Sequence, residues 1–126
     1  MIVAEFDKLA NARLEDAQAL HSASRFDGAV YLCGHAIEMA LKARICRTLN
    51  WPEFPGRKGF DSFYTHDLDV LLKLSGQESR VKQQHFSDWN KVSDWKAESR
   101  YNIIGSATVA DSQAMIQSAQ SLLGIL

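Results

Sequence analysis

Tyr31, His35, Glu38 and Lys42 are spaced four, three and four residues apart within one otherwise apolar segment. At about 100° per residue, that spacing gathers them in one narrow arc of a helix. An imidazole beside a carboxylate can move a proton, and an ammonium group can hold an anion. The surrounding stretch, SRFDGAVYLCGHAIEMALKARIC over 24–46, is apolar on most other faces. The stripe therefore has two readings. Either it faces water, with Glu38 and Lys42 an i,i+4 pair worth roughly 0.2–0.5 kcal/mol, or it borders a site or a shared interface.

Cleaving a phosphodiester without a metal needs a cation for the phosphorane charge and a group, often His, to take the hydroxyl proton. Arg80 and His85, in RVKQQH, have the residue types for this. Five positions apart on a helix they diverge by about 140°, so surface charge is their default role unless the segment bends. The four histidines, 21, 35, 66 and 85, form no HxxxH pair, and there is no CxxC, so no structural zinc site is expected. No GxxxxGK[ST] or GxGxxG loop is present either. PGRKGF could hold a phosphate between its glycines, but it also reads as a solvated loop tip. Nothing in these motifs calls for a metal or another cofactor.

Helices must position these groups. In segment 4–22, Phe6, Ala10, Leu14, Ala17 and His21 recur at steps of three and four, the pattern of an amphipathic helix. Ser24 and Asp27 have capping-box spacing, and a second helix is expected from about Arg25 to Leu49. Segment 50–66 holds both prolines and reads as a long loop, a kind that is usually functional or mobile. Asp67–Leu74 reads as a short helix with Leu68, Leu71 and Leu72 inward, Thr65 or His66 as cap and Gly76 as stop. One further helix is expected over 77–95, with Val81, Phe86, Trp89 and Val92 inward. ESRYNIIGSAT ends it, and Thr108 with Asp111 opens a final helix reaching Leu126. The expected architecture is a single all-α domain over 1–126, an up-and-down bundle of four or five helices.

Hydrophobic residues make up 46% of the 126 positions and charged residues 23%, enough apolar material for a real core. A formal net charge of −1 offers no global attraction to polyphosphate, so nucleic-acid binding would have to rest on a local cluster. Cys33 and Cys46 fall thirteen positions apart in one helix, about 20 Å, which points to buried thiols rather than a disulfide. The acidic N-terminal stretch MIVAEFDKLANARLED does not read as a secretory signal, and no run of eighteen apolar residues exists. A cytoplasmic location without membrane contact is the expectation.

RFDGAVYLCGHAIEMALKARIC, then THDLDVLLKLSG, then Trp95 and SRYN ahead of a last helix resemble a HEPN domain (higher eukaryotes and prokaryotes nucleotide-binding domain), as a small stand-alone member. The resemblance covers nearly the whole chain and implies a helical bundle that commonly dimerises. It also implies a minimal nucleotidyltransferase as partner protein in a toxin–antitoxin-like pair, and binding of RNA or a nucleotide. Active relatives are metal-independent ribonucleases whose Arg is followed by a His four to six residues later, at the start of the last long helix. Arg100 stands near that place, but RYNIIGSATVA has no His, and Asn102 is the nearby polar substitute. The resemblance also places Glu38 beside the site, implying a Glu38–Arg100 ion pair, with Tyr31, His35 and Lys42 at its border. The expected function is a dimeric binding component lacking the usual ribonuclease pair. An active ribonuclease toxin using Arg80 and His85, or Arg100 with an atypical base, is the first alternative. A purely structural interaction module is the second.

Overall fold

The computed structural model describes residues 1–126 and is built of six α-helices. They are α1 (Val3–Ser22), α2 (Phe26–Thr48), α3 (Leu68–Leu74), α4 (Glu78–Gln84), α5 (Phe86–Val92) and α6 (Val109–Ile125), with 3-10 turns at Asp61–Phe63 and Ala97–Tyr101. The expected all-α bundle is present, with one helix more than the sequence suggested. The extra helix comes from a break at His85, whose φ of −132° leaves the helical region between α4 and α5. The break turns Phe86 outward, 65% exposed, instead of inward as expected, while Val81, Trp89 and Val92 reach the core.

α2 is the central helix because it is apolar nearly all round. It packs along α1 on one side and against α6 and α3 on others. Ala17 of α1 and Ala29, Cys33 and Ala36 of α2 are fully buried, and these small side chains let the helices approach closely. Ile37, Leu41 and Ile45 fill the interior with Leu68, Leu71, Leu72 and Leu122. Burying each such side chain contributes about 1.5–3 kcal/mol. His21 Nδ1 lies 2.7 Å from Ser112 Oγ, tying the end of α1 to α6. Burial pushes the Cys33 thiol up to about 12 and raises that of Cys46, so both are free, inert thiols. No helix is long and apolar enough to cross a membrane.

Helix ends are set by local chemistry, not always at the residues the sequence suggested. Thr108 and Asp111 form the reciprocal capping box expected for α6. Ser24 and Asp27 form none. Ser24 has φ 60° and closes α1 instead, with Arg25 N–H donating to Leu20 O at 2.8 Å and Ser24 N–H to His21 O at 3.0 Å. Asn50, at φ 55°, ends α2 in the same way, through Trp51 N–H to Cys46 O. Asp67, not Thr65 or His66, caps α3 by accepting from the amides of Asp69 and Val70. Thr65 Oγ1 supports it by accepting from Asp67 N–H, which leaves the His66 ring free for other work.

The 50–66 connection is packed rather than loose. Trp51, Phe54, Phe60, Phe63 and Tyr64 meet edge to face or tilted, with centroids 5.4–6.5 Å apart. Phe6 of α1 and the Lys42 ammonium both touch Phe54, which fastens this cluster to the bundle.

Candidate ligand cleft and the buried carboxylate

The start of α2 and the 99–107 connection enclose a cleft of roughly 500 Å³, to which α5 contributes Lys91 and α6 Asp111 and Met115. Asp27 shapes it. Its carboxylate accepts from Gly105 N–H at 2.6 Å and Ala107 N–H at 2.8 Å, pinning the stretch between the Ala97–Tyr101 turn and α6. Those two amides hold the Asp27 carboxyl below its ordinary range. The Thr108 amide and hydroxyl do the same for Asp111. Both acids of the cleft are thus ionised at neutral pH and already engaged by donors.

Its cations are not so engaged. Arg100 lies fully exposed on the 97–101 turn, with its guanidinium carbon 4.8 Å from the Tyr101 ring centroid. Tyr31 first, and then Tyr101, holds its already high pKa up. Neither Arg100 nor Lys91 has a carboxylate within ion-pair distance. Asn102 completes the polar wall, and no histidine lines the cleft. Tyr31, Arg100 and Asn102 therefore share one site.

The expected Glu38–Arg100 pair does not form. Glu38 is only 2% exposed, and its carboxylate is claimed from two other sides. Lys42 Nζ donates to Oε2 at 3.2 Å, and His66 Nδ1 lies 2.8 Å from Oε1. Since a carboxylate has no proton to give, Nδ1 is the donor. This arrangement ties α2 to the residues just before α3. Arg100 instead shares the cleft with Tyr31, about two turns from Glu38 along α2.

His35 sits between these two places, edge-on to Tyr31 at 4.6 Å and to Trp95 at 5.2 Å. Burial pushes its imidazole below the ordinary value of 6.5, opposed by Glu38 and reinforced by His66, Arg100 and Arg13. A histidine whose folded-state pKa is depressed favours folding in its neutral form. Its contribution is complete above the unfolded value and is lost as pH falls from about 6.5 through the lower folded value. Urea midpoints measured between pH 7.5 and 5 should fall with pH in wild type and fall less in His35→Phe. Equal slopes would contradict this role.

Arg80 and His85 belong to neither place. Arg80 Nη2 donates to Ile125 O at 2.5 Å and so caps the end of α6, while His85 is the joint between α4 and α5. The bend the sequence left open does occur, but it sets these residues to structural tasks. Lys91 and Asp27 line the cleft and His66 holds Glu38, places that sequence reasoning missed. Asp27 was read as a local cap, and its true partners lie 78 and 80 positions away.

The HEPN domain family model matches residues 5–126. The chain belongs to the HEPN domain family. No curated protein and no solved structure matches it. In this HEPN domain Arg100 lies on the Ala97–Tyr101 turn, nine residues before α6 begins, and no histidine lines its cleft.

Proposed function

We propose that this HEPN domain is a binding component, taking RNA or a nucleotide in the Arg100 cleft without cleaving it. The observation that carries this reading is the pairing of two free cations, Arg100 and Lys91, with the aromatic Tyr31 and the amide of Asn102 around one cavity. A guanidinium recognises phosphate oxygens in a bidentate way, Asn102 can read a base or ribose edge, and an exposed ring such as Tyr101 stacks on a base. The cleft has no imidazole, and its two carboxylates, Asp27 and Asp111, are held by backbone amides and have lowered basicity, which makes them poor acceptors for a 2'-hydroxyl proton.

The same reading has the domain act as a homodimer and as partner of a minimal nucleotidyltransferase in a toxin–antitoxin-like pair. Support comes from an exposed apolar tip beside the cleft, where Ile103 is 86% and Ile104 94% exposed. Side chains of that kind favour burial against another surface.

Fluorescence anisotropy of a labelled single-stranded RNA, in EDTA and low salt, tests the binding. Wild type is expected to bind and leave the RNA intact. Arg100→Ala is expected to weaken binding about 10-fold or more, in line with the loss of a charged hydrogen-bonded contact. Equal affinity of the variant would refute the site, and cleavage by wild type would refute the non-catalytic reading.

A further inference from the structure

Residues 102–107 join the Ala97–Tyr101 turn to α6 and contribute Asn102, Ile104, Ser106 and Ala107 to the lining of the Arg100 cleft. This strap has little of its own to hold it in place. Residues 102–106 are all exposed, so no buried side chain anchors them, and none carries a charge. Their local hydrogen bonds run from Asn102 N–H to Ser99 O and from Ser106 N–H and hydroxyl to Ile103 O, all within the connection itself. The amides of Ile103 and Ile104 have no acceptor in the protein. Asp27 alone ties the strap to the bundle, from 78 and 80 positions away, through the amides of Gly105 and Ala107. It does so from the first turn of α2, two residues before the fully buried Ala29, so the carboxylate projects from a fixed element. Gly105 meets it in a left-handed conformation (φ 88°), which glycine adopts without strain.

We infer that Asp27 is a positioning residue for ligand binding, its carboxylate the latch that holds the 102–107 strap as one wall of the Arg100 cleft. The identity of the ligand rests on the proposed function, whereas the latch is a property of the free protein. Charge alone argues for the opposite effect on binding. An acid lining a phosphate-binding cleft repels the ligand, so removing its charge with no change in the wall tightens binding. Loosening the wall weakens binding instead, because a wall that is not ordered in advance must be ordered by the ligand, and the loss falls mainly on the dissociation rate. The two roles therefore differ in sign.

The first readout needs no ligand. Amide hydrogen exchange of the full chain, scaled to free-peptide rates, is expected to be about tenfold or more slower at Gly105 and Ala107 than at Ile103 and Ile104. Asp27→Asn, which keeps the shape but loses one acceptor oxygen and the charge, is expected to abolish that difference while the amides of α2 and α6 stay protected, which shows that the variant is folded. The second readout is stopped-flow dissociation of a labelled single-stranded RNA. Asp27→Asn is expected to release it about fivefold or more faster than wild type. Asp111→Asn removes the same charge from the same cleft but keeps an oxygen for the Thr108 amide, and it is expected to bind at least as tightly as wild type. Unprotected Gly105 and Ala107 in wild type, unchanged exchange in Asp27→Asn, or slower RNA release by that variant would overturn the inference. Exchange as expected with no RNA bound by wild type would refute the proposed function and the ligand part of the inference, and would leave the latch established.

Discussion

Gly34→Ala is expected to destabilise the protein by about 1–3 kcal/mol, the range for forcing an extra methyl into a packed interior. The sign is the informative part, because Gly to Ala at an unobstructed helix position stabilises by about 1 kcal/mol. Gly34 lies in the middle of α2, where a Cβ would stand 2.0 Å from Trp95 Cε2 and 2.2 Å from Cδ2 and Nε1. The indole lies on bare backbone, and no side-chain rotation of residue 34 can relieve the contact. Trp95 in turn packs on His35 and Tyr31, so its displacement would disturb the Tyr31 side of the Arg100 cleft. Gly28→Ala is the matched control. Its Cβ would meet only Leu20 Cδ1 at 3.0 Å, the far end of a flexible side chain, so little or no loss is expected. Urea denaturation of both variants measures the difference, and a Gly34→Ala protein as stable as wild type would contradict the close packing of Trp95 on α2.

Glu38→Ala is expected to cost about 2–4 kcal/mol, somewhat below the range for breaking a fully buried ion pair. Glu38 is almost completely buried, and Lys42, its partner along the helix, keeps only 13% of its side chain exposed. Removing the carboxylate leaves an ammonium with little water and with the Phe54 ring, 5.6 Å away, as its remaining support. Some of that loss is recovered because a lysine stem can swing its charge outward. The two interactions of Glu38 should also differ in size. His66 is mostly solvated, so its coupling to Glu38 belongs with exposed pairs at roughly 0–1 kcal/mol. Double-mutant cycles on Glu38 with Lys42 and with His66 would rank them. A larger coupling to His66 than to Lys42 would contradict this accounting of burial. Glu38→Gln, which keeps the shape and an oxygen for His66, should be milder than Glu38→Ala.

The fold was legible where the determinants are local. The three-and-four spacing of Phe6, Ala10, Leu14 and Ala17 marked the buried face of α1, and the Thr108–Asp111 box marked the start of α6. Glu38 with Lys42 was legible for the same reason, as an i,i+4 pair, although sequence could not say that the pair is buried. What escaped depends on contacts between distant segments. Asp27 has the residue type and spacing of a cap, yet the left-handed Ser24 closes the preceding helix and frees the carboxylate for Gly105 and Ala107. His66 looked like a cap until Asp67 took that task, and only the third dimension brings it to Glu38. Gly34 in a helix signals weakness by propensity, whereas the bundle uses its missing side chain to seat Trp95. The Glu38–Arg100 pair implied by family resemblance is absent, because Glu38 is held by Lys42 and His66 while Arg100 shares the cleft with Tyr31.

The central claim is that the Arg100 cleft is where this HEPN domain meets RNA or a nucleotide. The most direct measurement is a map of backbone amide shifts in ¹H–¹⁵N spectra as a short single-stranded RNA is added to the isotopically labelled protein. The expected result is a set of saturable shifts confined to 27–31, 91 and 99–111, lost in Arg100→Ala, with the RNA recovered intact. Shifts centred elsewhere, or none at concentrations where anisotropy reports binding, would contradict it.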